Sequence, residues 1–148
     1  MLSEINSLLF GSVLLVSFVA SVLYLVFFFN QKEKLRRLAR KILLGSGILQ
    51  SLYIISRYFI AGYTPITSQH EAVTFFAWSV TWAYLSFHWR YSVKNFGTFI
   101  SLLVLILLLI AASASREFHS LAPALQSLWL PVHASISVMA YGFLALAF

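Results

Sequence analysis

Between Phe96 and Ala114 the chain carries no charged residue and contains the segment "LLVLILLLI" at 102–110. A helix rises about 1.5 Å per residue, and a bilayer core is about 30 Å thick, so such a run is suited to crossing one. It is not alone. Apolar runs also occupy roughly Ser7 to Phe29, Ile42 to Ala61 and Glu71 to Trp89, with a last one from Val132. With 61% hydrophobic and only 9% charged residues, against about 25% charged in an ordinary soluble domain, the chain reads as all-α. It is expected to be a polytopic transmembrane helical bundle of about five spans, forming a single membrane domain over 1–148. The first run is too long for a signal-peptide core and lacks a basic lead-in, so it reads as a retained span. The last, Val132 to Phe148, makes about 25 Å of helix. It has no basic or interfacial residue at its end, so it is expected to be truncated.

The chain has no cysteine and no aspartate; its acids are Glu4, Glu33, Glu71 and Glu117. That excludes disulfides, thiolate metal sites and a Ser-His-Asp triad. No His-x-x-Glu-His spacing occurs, which argues against a zinc hydrolase. The formal charge of +6 is concentrated rather than spread. Lys32, Lys34, Arg36, Arg37, Arg40 and Lys41 follow the first run, and Arg90 and Lys94 follow the third. Only Arg57 and Arg116 fall toward the other side. By the positive-inside bias the two basic connections are cytoplasmic, which puts the N-terminus, 64–70 and 115–131 outside. The basic cluster then reads as a topology signal in contact with anionic lipid, and no nucleic-acid partner is expected.

Polar residues within apolar spans are costly and usually face a bundle interior, so their spacing is informative. Ser46, Gln50, Tyr53 and Arg57 recur at helical intervals on one face of the second run. Arg57 either snorkels to the interface or pairs with Glu71, the nearest plausible carboxylate. Glu71, Phe75, Trp78, Trp82, Leu85 and Trp89 form a near-heptad stripe on the third run, readable as helix packing or as a shelf for a flat apolar ligand. In the last run His133, Ser137 and Tyr141 stand at i, i+4 and i+8, one polar ridge on an apolar helix. Spacing alone leaves His133 open between a structural histidine and a ligand.

Two stretches carry a resemblance. "RYFIAGYTPITSQHEAVTFFAW" presents Arg57, Ala61, Gly62, Pro65, Glu71 and Trp78, and "LAPALQSLWLPVHASISVMAYGFLALAF" presents Leu125, Gln126, Ser127, Trp129, His133 and Tyr141. In these residues, and in the order of its spans, the chain resembles the CcsA/ResC family of cytochrome c biogenesis proteins, membrane proteins that handle haem in the system II pathway. It departs from the family pattern in having His70 where tyrosine is common and Thr67-Ser68 where Ser-Asn is usual.

The resemblance implies that His133 is an outward-side axial ligand to haem iron, in a cofactor-binding set with Trp129 and Tyr141. It also implies that haem is presented to apocytochrome c for covalent attachment. It places the chain in a plasma (inner) membrane with the haem site facing the periplasm or cell exterior, beside a CcsB/ResB-like membrane partner. The family's tryptophan-rich outer motif and its further haem-ligand histidines find no counterpart here. A C-terminal half carrying that motif is therefore an expected partner, the chain reads as an N-terminal portion, and its own catalytic role is left undecided. His70, His88 and His119 receive no role. Two other readings stay open: a small structural or interaction protein without haem, and a transporter subunit with Arg57 and Glu71 lining a path.

Overall fold

The computed structural model describes residues 2–62, 66–91, 93–115 and 129–147. Pro65, Arg116, Glu117, His119, Leu125, Gln126, Ser127 and Phe148, all used in reading the sequence, lie outside them. Among the described residues five helices follow in chain order: α1 (Leu2–Asn30), α2 (Glu33–Ala61), α3 (Gln69–Arg90), α4 (Phe96–Ser113) and α5 (Trp129–Ala147). The described residues contain no strand, and the architecture is a helical membrane bundle.

Three of the helices, α1, α2 and α4, are by themselves long and apolar enough to cross a membrane. The two remaining spans expected from the sequence are present as helices but differ in kind. α3 is diluted by buried polar residues, among them His70, Glu71, Thr74, Ser79 and Thr81. It tolerates them because α2, α4 and α5 pack around it, so those groups meet protein rather than lipid. The apolar part of α5 is short, Val132–Ala147.

The basic segment, expected as a connection, is helical instead. Only Gln31 and Lys32 separate α1 from α2, with Gln31 in the left-handed region at φ 51°. Glu, Lys, Leu, Arg and Ala are all strong helix formers, and Arg36 pairs with Glu33 at 2.7 Å across one turn. Nothing in water opposes the helix there, so α2 extends past its apolar stretch. At the other end Gly62, at φ 74°, donates its N–H to the Tyr58 carbonyl at 2.9 Å and closes α2. Its left-handed conformation suits glycine at a helix C-terminus.

The core follows helical periodicity. Phe10, Val13, Ala20, Tyr24 and Phe27 of α1 are buried against Ala39, Leu43 and Tyr53 of α2, Ala77, Val80 and Tyr84 of α3, and Ile100, Val104, Leu108 and Ala111 of α4. Leu8, Leu15, Phe18, Leu52, Ile55, Phe99, Ile106 and Leu109 point outward, as lipid-facing side chains do. Small polar residues sit inside, where they find partners: Ser17 and Ser46 hydroxyls meet at 2.6 Å, and the Ser21 hydroxyl donates to the Ser101 carbonyl at 2.9 Å. Gly97 lets α4 close on its neighbours, since a Cβ there would collide with Tyr24 and Tyr84. Those two tyrosines are joined hydroxyl to hydroxyl at 3.2 Å. α5 packs mainly against α3. Gly142 lies on Ser79, whose hydroxyl donates to the Val138 carbonyl at 3.0 Å.

Candidate functional site

One end of the bundle is closed by a buried polar cluster built from four helices. Its origin is local. Ser68 caps α3, accepting from the Glu71 N–H at 3.2 Å, while Glu71 Oε2 accepts from the Ser68 N–H at 3.2 Å. This reciprocal capping box fixes the Glu71 carboxylate at the helix N-terminus, where its charge is favoured. The same Oε2 accepts from the Thr67 N–H at 3.1 Å and the Thr67 hydroxyl at 2.9 Å. Oε1 remains for Arg57, whose Nη2 and Nε donate at 2.8 and 3.1 Å. The two side chains are only 2% and 1% exposed. Of the alternatives the sequence leaves for Arg57, the structure shows the ion pair and not a snorkelling side chain.

His70 extends the cluster. Its Nδ1 lies 2.7 Å from the Ala111 carbonyl, one of the last in α4, which also accepts the Ala114 N–H at 3.2 Å. A carbonyl only accepts, so Nδ1 bears the proton and Nε2 accepts from the Tyr53 hydroxyl at 2.6 Å. Phe10 packs on the His70 ring with centroids 4.8 Å apart, and Asn6 reaches the Ser56 hydroxyl at 2.8 Å. The arrangement ties α1, α2, α3 and α4 together at one level. Sequence reasoning assigned His70 no role. The Ser-x-x-Glu spacing at 68–71 was the available signal, because it places the helix start and thus His70 in the first turn of α3.

The other histidines contrast with it. His133 occupies an exposed position on α5, and Trp129 and Tyr141, four residues before and eight after it, are 79% and 61% exposed. The Ser137 hydroxyl donates at 2.8 Å to the His133 backbone carbonyl and not to its ring. The helix is held on α3 through its other side, at Val138 and Gly142, so Trp129, His133 and Tyr141 share a face turned away from that seat. The Arg57–Glu71 pair and the α5 face are separate features. Among the described residues no cluster of three or more His, Asp or Glu side chains has the makings of a metal site. His133 therefore offers one donor, not a chelate.

The aromatic stripe of α3 divides between packing and exposure. Trp78 and Trp82 both donate their indole N–H to the Ser51 hydroxyl of α2, at 2.8 and 3.3 Å. Phe75 is buried, whereas Trp89 is 95% exposed. Most of the stripe is thus helix packing, with its final tryptophan at the basic end of the bundle. His88 is buried beside Tyr84, ring centroids 5.7 Å apart.

No family model matches the chain, but individual relatives do. It is 32% identical over 123 residues to the cytochrome c biogenesis protein CcsA of Porphyra purpurea, a match covering 80% of this chain and 38% of the relative. The CcsA protein of Pyropia yezoensis is 31% identical over 119 residues, covering 76% and 36%. That of Trieres chinensis is 29% identical over 124 residues, covering 79% and 39%. The chain therefore spans less than two fifths of the length of these curated relatives. Over the stretch it shares with them, the chain belongs to the family of the cytochrome c biogenesis protein CcsA.

Proposed function

We propose that this chain acts in cytochrome c biogenesis as part of a haem-handling membrane protein, with His133 as one axial ligand to the haem iron. The observation that carries the reading is the open face of α5. A neutral imidazole is a good ligand for iron, and here it stands exposed on a helix whose opposite side is fixed to the bundle. Trp129 and Tyr141 flank it on the same exposed face, offering flat apolar surface to a macrocycle. The donor set fits one iron position. The second ligand and the covering wall come from outside the described residues.

In this reading haem is cargo: its vinyl groups are the sites of attack by apocytochrome c thiols, and the chain's own residues bind and orient it. His133 holds the iron; Trp129 and Tyr141 shield the ring faces and limit water. The Arg57–Glu71 pair acts at a distance by holding the ends of α2 and α3 together. The positive-inside bias of the basic Lys32–Lys41 and Arg90–Lys94 segments supports a cytoplasmic side for them in a plasma (inner) membrane and, with alternating helices, an outer position for His133, where an apocytochrome is met. A CcsB/ResB-like membrane protein and a segment bearing the tryptophan-rich motif are the partners this reading requires. The transporter reading is less well supported, since both oxygens of Glu71 are already engaged by Arg57, Thr67 and Ser68.

The test is spectroscopic. The chain purified from membranes of haem-replete cells is expected to show b-type absorbance. His133→Ala should remove it and added imidazole should restore it, while His88→Ala should leave it in place. Absence of absorbance in the parent, or unchanged absorbance in His133→Ala, would overturn the assignment.

A further inference from the structure

At the end of the bundle opposite the polar clamp, a groove of about 320 Å³ opens between the start of α2 and the end of α3. Its apolar lining is Leu44, Trp82, Leu85 and Trp89. Its polar lining is Arg40, Lys41, Ser86 and His88, and among the described residues no carboxylate lines it. The closest acid in the sequence of α2, Glu33, is engaged by Arg36 at 2.7 Å. The volume lies at the small end of ligand clefts, which run from about 300 to 1,000 Å³, so it admits part of an amphiphile rather than a whole one.

Its depth is set by the sequence. α2 changes from basic to apolar between Lys41 and Ile42. α3 ends at Arg90, with Trp89 almost wholly exposed beside it. Exposed tryptophan and the last basic residues of a span mark the headgroup level of a bilayer. The groove therefore begins where phosphates lie and runs toward acyl chains. We infer that it is a binding site for one anionic phospholipid, its phosphate against Arg40 and Lys41 and the upper part of one acyl chain along Leu44, Trp82 and Leu85. Basic pockets between transmembrane helices take anionic headgroups for this combination of charge and apolar wall. The site is independent of the haem reading, being at the other end of the molecule and on other helices from His133.

The experiment uses the full chain in phosphatidylcholine vesicles containing phosphatidylglycerol with dibrominated acyl chains. Quenching of tryptophan fluorescence gives an association constant relative to dibrominated phosphatidylcholine. The parent should prefer phosphatidylglycerol, and Arg40→Gln with Lys41→Gln should lower that preference by about fivefold for each charge removed. Lys32→Gln with Lys34→Gln removes the same charge from the same end outside the groove, and should lower the preference markedly less. Equal losses in the two double variants would mean diffuse attraction and overturn the site, as would a parent without preference. Displacement by inorganic phosphate beyond that by sodium chloride at equal ionic strength would assign the groove to a free anion and overturn the lipid.

Discussion

Arg57 and His133 are both polar side chains on apolar helices, and the bundle treats them in opposite ways. Arg57 is buried, donates twice to Glu71, and belongs to a network whose next members, Tyr53 and His70, are hydrogen-bonded to each other and to α4. His133 stands exposed, on a helix that meets the bundle through its other side. A buried charge that finds its partners within the chain holds structure, because removing either partner strands the other. An exposed imidazole in an apolar setting strands nothing when lost. The contrast separates a clamp from an open face, although both consist of residue types that suggest chemistry.

The most severe challenge to that contrast is Arg57→Ala. It leaves the Glu71 carboxylate buried without its cation and is expected to cost about 3–5 kcal/mol, read as a large drop in unfolding temperature in detergent. Comparable stability in Arg57→Ala and the parent would erase the distinction. Gly142→Ala comes next. Its new methyl would run into Ser79, lifting α5 from α3 at about 1–3 kcal/mol. Crosslinking between cysteines introduced on α3 and α5 should weaken while crosslinking between α2 and α3 persists. Tyr53→Phe removes the donor to His70 Nε2 and should cost about 1–2 kcal/mol, again by thermal unfolding, without changing how His133 behaves.

Two substitutions should do little, and they sharpen the comparison from the other side. Gln50 is buried, with its amide nitrogen 3.1 Å from the Ser46 hydroxyl, while its carbonyl oxygen has no hydrogen-bond partner among the described residues. Gln50→Met exchanges that unpaired oxygen for an apolar chain of similar size, so the net change should stay under about 1 kcal/mol and can be stabilising. His133→Ala should be the mildest, within about 0.5 kcal/mol of the parent when haem-free. A marked loss of stability there would make His133 structural and count against its role as a ligand.

Much of the bundle can be read from residue order. The set Ser46, Gln50, Tyr53 and Arg57 faces inward as its spacing predicts. The extension of α2 through the basic segment is not legible, because charge reads as a connection, whereas Lys, Arg, Glu and Leu continue a helix into water without penalty. The near-heptad stripe on α3 forms one face by its period, but period does not decide its use. Trp78 and Trp82 turn out to be tied to Ser51. His70 carries no role in the sequence, because a lone histidine beside a loop gives no signal of the Ala111 carbonyl 41 residues away.

By itself, then, the order of residues determines that this chain lives in a membrane, that it is helical, and which side chains share a face. Length, apolarity and a 3.6-residue period are local quantities, and local quantities suffice for that. Only the tertiary structure decides which polar faces meet one another. Glu71 meets Arg57 and His70 meets Tyr53 because separate helices bring them within hydrogen-bonding distance. Among the described residues His133 meets nothing of the kind, because α5 touches the bundle through its other side. Helical periodicity gives the direction of a side chain, but its partner depends on how the helices are packed.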